Sequence, residues 1–357
     1  MMDAKNNIPF WKKCLRHYGA LTGISILTIA AIFALTGYWI IPDPSPNANR
    51  MIPALGSRPP GFSITLLKIP IPDVPPTNLI EQGVNGKRDQ YQYIPVTSWK
   101  KEGAHWVVQQ FIDEGITKEV IFSAATVGEN PFKQTTFWLG TDKFGRDILS
   151  RLILGTRVSW SVGTIAVFIS LLLGIGLGSI AGYYGGKIDG AVMWLVNVVW
   201  SMPTLLLVFA ITLLLGKGFW QVFVAIGLSM WVNVARMVRG QVLATRELSY
   251  IEAARALGYS DSRIIIRHIL PNIMGPIWVL AASNFASAIV MEAGLSFLGV
   301  GVQPPMPSWG LMLKENYNFI ITNRPALALA PGIAIMLLVW AFNLLGNGLR
   351  DIMSVRT

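Results

Sequence analysis

The stretch LSYIEAARALGYSDSRIIIRHILPN, residues 248–272, is the longest polar interval in the C-terminal half of the chain, and strongly apolar runs flank it on both sides. Ser249 and Glu252 have the S-x-x-E spacing of a capping box, in which the hydroxyl accepts from one amide and the carboxylate reaches back to the other. Leu248 and Ala253 stand where a hydrophobic staple would put them. Gly258 suits the left-handed residue that closes a helix. The spacing therefore predicts a first helix of about two turns, residues 250–257. A second starts near Asp261 and stops before Pro271, which has no amide hydrogen to continue it. Tyr250, Ile251, Ala254 and Leu257 share one side of the first helix, while Glu252 and Arg255 are spaced to pair on another.

A helix of two turns is not stable alone. It needs a surface to lie on, and Ala253 and Ala254 would let a partner's backbone come close. Local chemistry leaves two readings: a helix built to be held in a groove, or an ordinary solvated loop of a membrane protein.

The run Glu252-Ala253-Ala254, then Gly258 after three residues, then Leu270-Pro271, resembles the EAA loop of ABC importer permeases. That pattern is E-A-A, three residues, G, nine residues, I-x-L-P. Residues 140–163 (GTDKFGRDILSRLILGTRVSWSVG) and 292–313 (EAGLSFLGVGVQPPMPSWGLML) resemble the oligopeptide/dipeptide subfamily of the OppC/DppC type. The likeness covers about residues 138–352 and the first apolar segment. It departs at one place: the isoleucine of the pattern is His268, with Ile269 beside it.

This resemblance implies an all-α polytopic membrane protein with six transmembrane helices, in the type I ABC importer (MetI-like) permease fold. It also implies a second homologous permease subunit, one or two ABC ATPase subunits, and an extracytoplasmic substrate-binding protein. Its substrates would be dipeptides or oligopeptides, with nickel complexes, glutathione or another small solute as alternatives. ATP and Mg would be bound by the partner ATPases. Docking on them falls to the loop bearing Glu252, Ala253, Ala254, Arg255, Leu257, Gly258, Leu270 and Pro271. Within it, Glu252 would make a polar contact, Ala254 would pack closely and Gly258 would make the turn.

Composition agrees with a membrane protein. Of 357 residues 52% are apolar and only 13% charged, and the mean hydropathy is +0.49, too apolar for a soluble domain. The formal net charge of +10 would suggest nucleic acid in a soluble chain. Here its distribution matters instead, because cytoplasmic loops accumulate Lys and Arg; lipid is expected as a partner and nucleic acid is not. The single cysteine, Cys14, lies among Lys12, Lys13 and Arg16 and excludes an internal disulfide; a plain cytoplasmic thiol is expected.

In chain order, a basic cytoplasmic tail (1–18) precedes an apolar run (19–41) long enough to span. Residues 42–157 form a long extracytoplasmic loop between helices 1 and 2, dense in proline at first, with later stretches such as 97–116 able to form helix or strand. A small subdomain acting as a structural cap is favoured over a separate binding site. Residues 158–350 are expected to hold helices 2 to 6, with the docking loop at 236–272, and 351–357 a cytoplasmic tail. Arg146, Arg151 and Arg157 alternate with apolar residues, as in an amphipathic helix along the outer interface whose arginines reach headgroups; a gate contact to a partner subunit is the alternative. Gly174, Gly178 and Gly182 recur at a spacing that lets helices approach closely in lipid. Pro203 should kink the third span, either on the substrate path or in plain core packing.

With the N-terminus inside, the inner segments hold 13 Lys and Arg, the short outer segments Lys217, Lys314 and Arg324, and the long first loop the remaining 13. That bias puts both termini and the EAA loop in the cytoplasm of a bacterial inner-membrane protein.

No GxxxxGK[ST] phosphate loop occurs, and Gly185-Gly186-Lys187 lacks its spacing. His17, His105 and His268 show no metal-ligand spacing, and no G-x-S-x-G nucleophile elbow is present. A transport subunit without catalytic residues is expected. Glu292, the one acid close to a span, is a candidate for the substrate path, or it meets water at the helix end. The rivals are a nucleotide-independent secondary transporter, which would need intramembrane charges or broken helices, and a membrane-anchored structural or enzyme domain in the first loop.

Overall fold

The computed structural model describes residues 10–128, 130–216, 218–320 and 325–354. Lys5, Lys217, Arg324 and Arg356, which enter the loop-charge comparison, lie outside the described residues, as do 1–9 and 355–357 of the two tails. Among the described residues, five helices are long and apolar enough to cross a membrane: Tyr18–Ile40, Ile148–Tyr184, Phe219–Arg246, Asp261–Phe297 and Leu327–Met353. A sixth crossing is reached only if Gly186–Trp200 and Thr204–Leu215 count as one broken span, because they meet at 91°. Pro203 does more than kink this helix. It stands outside both halves with an extended ψ of 121°, and its missing amide hydrogen leaves the first half no bond to continue through.

Two compact units are built from described residues, one within 1–30, 159–303 and 335–357, the other within 31–158 and 304–334. In the first, the glycine stripe packs as its spacing implies. A Cβ at Gly174 would come within 2.4 Å of Val234 Cβ, at Gly178 within 2.5 Å of Ala235 O, and at Gly182 within 2.8 Å of Arg239 O. Helices Ile148–Tyr184 and Phe219–Arg246 therefore touch backbone to backbone. Cys14 is buried, and burial pushes its thiol up, away from the reactive thiolate.

The second unit overturns the all-α expectation. It contains a five-stranded antiparallel sheet of β1 (Phe62–Pro70), β2 (Tyr91–Glu102), β3 (His105–Asp113), β4 (Ile116–Ser123) and β5 (Phe132–Phe137), in the order β4-β3-β2-β1-β5. Its hairpins are tight. Glu102 pairs with His105 and Asp113 with Ile116, leaving two-residue loops; Gly115 at φ +78° takes the left-handed conformation that such a loop demands. Leu66 and Leu67 of β1 point to opposite faces and both are buried, one with Ile52, Leu55, Phe111 and Phe137, the other with Val96, Val108 and Val127.

The same unit corrects the reading of the arginines. Helix Ile148–Tyr184 begins ten residues before the expected start of helix 2, with Asp147 as its cap: Asp147 Oδ2 accepts from Ser150 N at 2.8 Å. Among the described residues, Arg151 and Arg157 lie in this helix itself and not in a separate interfacial one. Arg146 and Arg151 are each 1% exposed and do not reach headgroups. Arg146 Nε donates to Asp142 at 2.6 Å and Nη2 to Glu315 at 2.7 Å, while Arg151 lies 3.7 Å from Glu315. Charges at such depth persist only when paired. Arg157 donates to the carbonyls of Gly83 and Val84.

Candidate functional site

The helix expected to dock forms as Ser249–Ala256, a residue earlier at each end than its spacing predicts. The capping box is absent. Leu248 is the cap residue and no side chain caps the helix; the Ile251 and Glu252 amides bond to Leu248 O at 2.9 and 3.3 Å. Helix Phe219–Arg246 runs on so far that only Glu247 and Leu248 are left between the two, and Ser249 is already inside the second. The C-terminus ends as expected. Gly258 has φ +76°, its N–H donates to Arg255 O at 2.9 Å, and the Tyr259 N–H donates to Ala254 O at 3.2 Å. These are the two bonds of a Schellman closure.

Only Ile251, fully buried, and Ala254, 3% exposed, face inward. They join one apolar cluster with Tyr183, Val234, Val238, Val242, Ile264, Ile269, Ile273 and Ile277, drawn from the three long helices around them. Tyr250, Glu252, Ala253, Arg255, Leu257 and Gly258 are exposed, Leu257 to 72%. The four residues expected on one side are thus split: Ile251 and Ala254 pack into the chain's own core, and Tyr250 and Leu257 point out. Among the described ion pairs, none joins Glu252 to Arg255. The Arg255 guanidinium lies 5.2 Å from the Tyr183 ring centroid instead.

Polar contacts fix the loop at several points. Asn272 Nδ2 donates to Tyr250 Oη at 2.9 Å, and Tyr183 Oη donates to Asp261 Oδ1 at 2.8 Å. The His268 ring stacks on Tyr259 at 5.7 Å. Arg246 Nη1 donates to the carbonyls of Gly182 and Tyr183, satisfying the end of helix Ile148–Tyr184, and Arg239 Nη2 donates to Asp189 Oδ2 at 2.6 Å. Tyr183, Asp189 and Arg239 were not singled out by the sequence; only the run of glycines ending at Gly182 marked the place.

The second helix does not stop before Pro271. Asp261–Ile264 is α-helical, Ile265–Ile269 is a π segment, and Leu270–Phe297 continues as α-helix. Leu270 N donates to Ile265 O, five residues back. The wider turn makes room for the proline ring and absorbs its missing donor, so the helix passes through. Leu270 and Pro271 therefore mark a local widening in a helix that runs from just after Ser249–Ala256 into a segment long and apolar enough to cross a membrane.

Glu292 is 1% exposed, buried rather than open at the helix end. Its Oε1 accepts from Ser296 Oγ at 2.6 Å, and Ser296 Oγ accepts from Val302 N at 3.0 Å, a relay that pins the turn after the helix. Pro203 sits at the break between the two short helices.

A family model described as binding-protein-dependent transport system inner membrane component matches residues 174–357. The dipeptide transport system permease protein DppC of Alkalihalophilus pseudofirmus is 38% identical over 290 residues, 80% of this chain and 95% of its own length. The glutathione transport system permease protein GsiD of Pectobacterium atrosepticum is 42% identical over 233 residues, 65% of this chain and 76% of its own. A solved structure of the MetNI methionine ABC transporter in inward-facing conformations is similar at a TM-score of 0.47 and 20% identity, over 58% of this chain and 97% of that one.

Proposed function

This chain belongs to the family of binding-protein-dependent transport system inner membrane components, and from that premise we propose that it is the permease subunit of an ATP-driven importer of peptides. It is a multi-pass membrane subunit and not an enzyme. Its relatives are named for dipeptide and glutathione transport; glutathione is itself a small peptide, so peptide is the substrate class these names share. The working assembly holds a second homologous permease, one or two ABC ATPases that bind ATP and Mg, and an extracytoplasmic substrate-binding protein. Six spans follow if the broken pair counts as one, and the bias of Lys and Arg then puts both termini and residues 236–272 in the cytoplasm. The loop between the first two spans lies on the other side and carries the sheet.

The observation that carries the mechanism is the two-sidedness of helix Ser249–Ala256. Ile251 and Ala254 root it in the core shared by helices Phe219–Arg246 and Asp261–Phe297, while Tyr250, Glu252, Ala253, Arg255 and Leu257 remain exposed. An ATPase that grips the exposed face and closes on nucleotide moves the buried face with it, and the two long helices must follow. The contact differs between the open and closed ATPase, and that difference is what shifts the membrane helices from one access state to the other. Ala254 serves the inner face, Leu257 and Glu252 the outer one, and Gly258 lets the chain turn away after them. Glu292 holds a turn and needs no substrate contact in this reading.

The test is Leu257→Asp, which leaves Ile251 and Ala254 untouched. In proteoliposomes holding the complete importer, ATP-driven dialanine uptake should fall at least about tenfold, the effect of losing roughly 1.4 kcal/mol of docking energy. The variant should still insert and melt like the wild type. Undiminished uptake would remove the docking assignment. Competition between dialanine and glutathione separates the two substrate readings.

A further inference from the structure

Within the helical unit, an open groove of about 410 Å³ lies between the last two long helices. Pro276, Val279, Leu280 and Ser283 line it from helix Asp261–Phe297, and Arg350 and Met353 from helix Leu327–Met353. The helices meet near both ends of it: a Cβ at Gly275 would come within 2.9 Å of Met353 Sδ, and one at Gly346 within 3.5 Å of Ala282 Cβ.

The face of the last helix that carries Arg350 is polar and uncovered. Asn343, Asn347 and Arg350 recur at i, i+4 and i+7, which is one side of a helix, and all three are exposed. The opposite side packs on the first long helix, where a Cβ at Gly348 would come within 2.6 Å of Ala20 Cβ and one at Gly23 within 2.7 Å of Ala341 O. Ser283, in the other helix of the groove, is exposed as well. Amides on a span are costly against hydrocarbon, and such residues face protein or water instead.

The charge is a second observation. Arg350 is exposed, and among the described residues no ion pair engages it. Asp351, beside it in sequence, meets His17 at 3.2 Å. A guanidinium stays charged and takes a carboxylate through two parallel bonds. No Asp or Glu lines the groove to compete for it.

We propose that this groove is a station on the substrate path, in which Arg350 receives the terminal carboxylate of a peptide and Asn343 and Asn347 keep the approach wet. Every linear peptide ends in that group whatever its side chains, so one arginine serves them all. With no acid beside it, the groove holds the carboxylate end and not the ammonium end. Its volume is that of a small-ligand site, and its open shape allows release, as a path must. A lipid phosphate is the other anion that suits a guanidinium, but its acyl chains would lie against Asn343 and Asn347. The station rests on the peptide-importer reading and names the chemical group that the path recognises.

The test uses the complete importer in proteoliposomes with its binding protein saturated, and compares trialanine with trialanine amide, which lacks the carboxylate. Wild type should import trialanine faster. Arg350→Gln should lower the trialanine rate about tenfold, the loss of a charge-assisted bond, and so remove the preference; Arg350→Lys should fall between the two. An undiminished trialanine rate in Arg350→Gln would overturn the station. Equal slowing of both probes, or a loss that follows the phosphatidylglycerol content of the vesicles, would assign the groove to lipid and overturn it too. A second measurement does not depend on that variant. In a Cys14→Ala chain, Asn347→Cys should react with a charged thiol reagent added from the cytoplasmic side, and trialanine turnover should slow the reaction about twofold, as half-occupancy of the station requires. A cysteine that stays unreactive would put the polar stripe out of reach of water and overturn the proposal. Failure of the wild type to import trialanine would instead overturn the peptide reading.

Discussion

Ile251→Ala is the substitution that bears hardest on the lever. Ile251 is fully buried in the cluster beneath the docking helix, and Ala254, its only inward companion in that helix, offers one methyl. Eight residues are too few to hold a helix in water, so attachment rests on what these two side chains bury. Removing a buried isoleucine costs about 2–5 kcal/mol. Taking about 3 kcal/mol as the local loss, the helix should detach from the bundle about 100-fold more often. Hydrogen exchange on the purified full chain reads this directly. Amides of Ser249–Ala256 should lose protection by that factor, while those of Val234 and Val238 in the adjoining long helix stay slow. In the assembled importer, peptide moved per ATP hydrolysed should fall, because an ATPase grips a helix no longer rooted in the spans. Unchanged protection, or lost protection with full coupling, would refute the reasoning.

Two further predictions concern a turn and a cap. At Gly258 a Cβ would meet nothing within 4 Å, but φ is +76°; Gly258→Ala should cost only the conformational penalty of about 1 kcal/mol and keep most transport. Gly258→Pro can take neither that φ nor the bond to Arg255 O, and should abolish transport while leaving insertion intact, as measured by uptake and membrane yield side by side. Asp147, buried at the start of helix Ile148–Tyr184, has its carboxyl pushed above the ordinary range by burial, against the hydrogen bonds from Ser150. Its stabilising contribution is therefore complete below the ordinary carboxyl titration and is lost as pH rises through the folded value. Asp147→Asn keeps the cap and should melt at a higher temperature than wild type above that range, with the gap closing toward acid; a gap that widens toward acid would contradict the assignment.

The sequence was readable where chemistry is local. Gly258 closes its helix, the glycines at 174, 178 and 182 meet a neighbouring backbone, and the first apolar run forms one helix, Tyr18–Ile40, within a residue of its expected ends and long and apolar enough to cross a membrane. It misled where a polar side chain has a distant partner. Hydropathy ends the fourth span at Ala235, yet the helix continues to Arg246 because Arg239 meets Asp189 and Arg246 meets the carbonyls of Gly182 and Tyr183. Arg146 and Arg151 looked interfacial because Glu315, the second acid that with Asp142 balances their two charges, lies more than 160 residues away in sequence. The sheet did leave a local signal: Gly103-Ala104 and Glu114-Gly115 each separate two β-rich stretches at the length of a tight hairpin.

The most direct measurement of the lever uses the one native cysteine. With Cys14 replaced by alanine, the chain carries no thiol, and Leu257→Cys adds a single one on the exposed face of the docking helix. In membranes holding the working importer, a short cleavable thiol-to-amine reagent should join that position to a lysine of the ATPase subunit, and joining it should arrest peptide uptake until the link is cleaved. Uptake that proceeds at full rate through an importer whose position 257 never links to the ATPase would contradict the account.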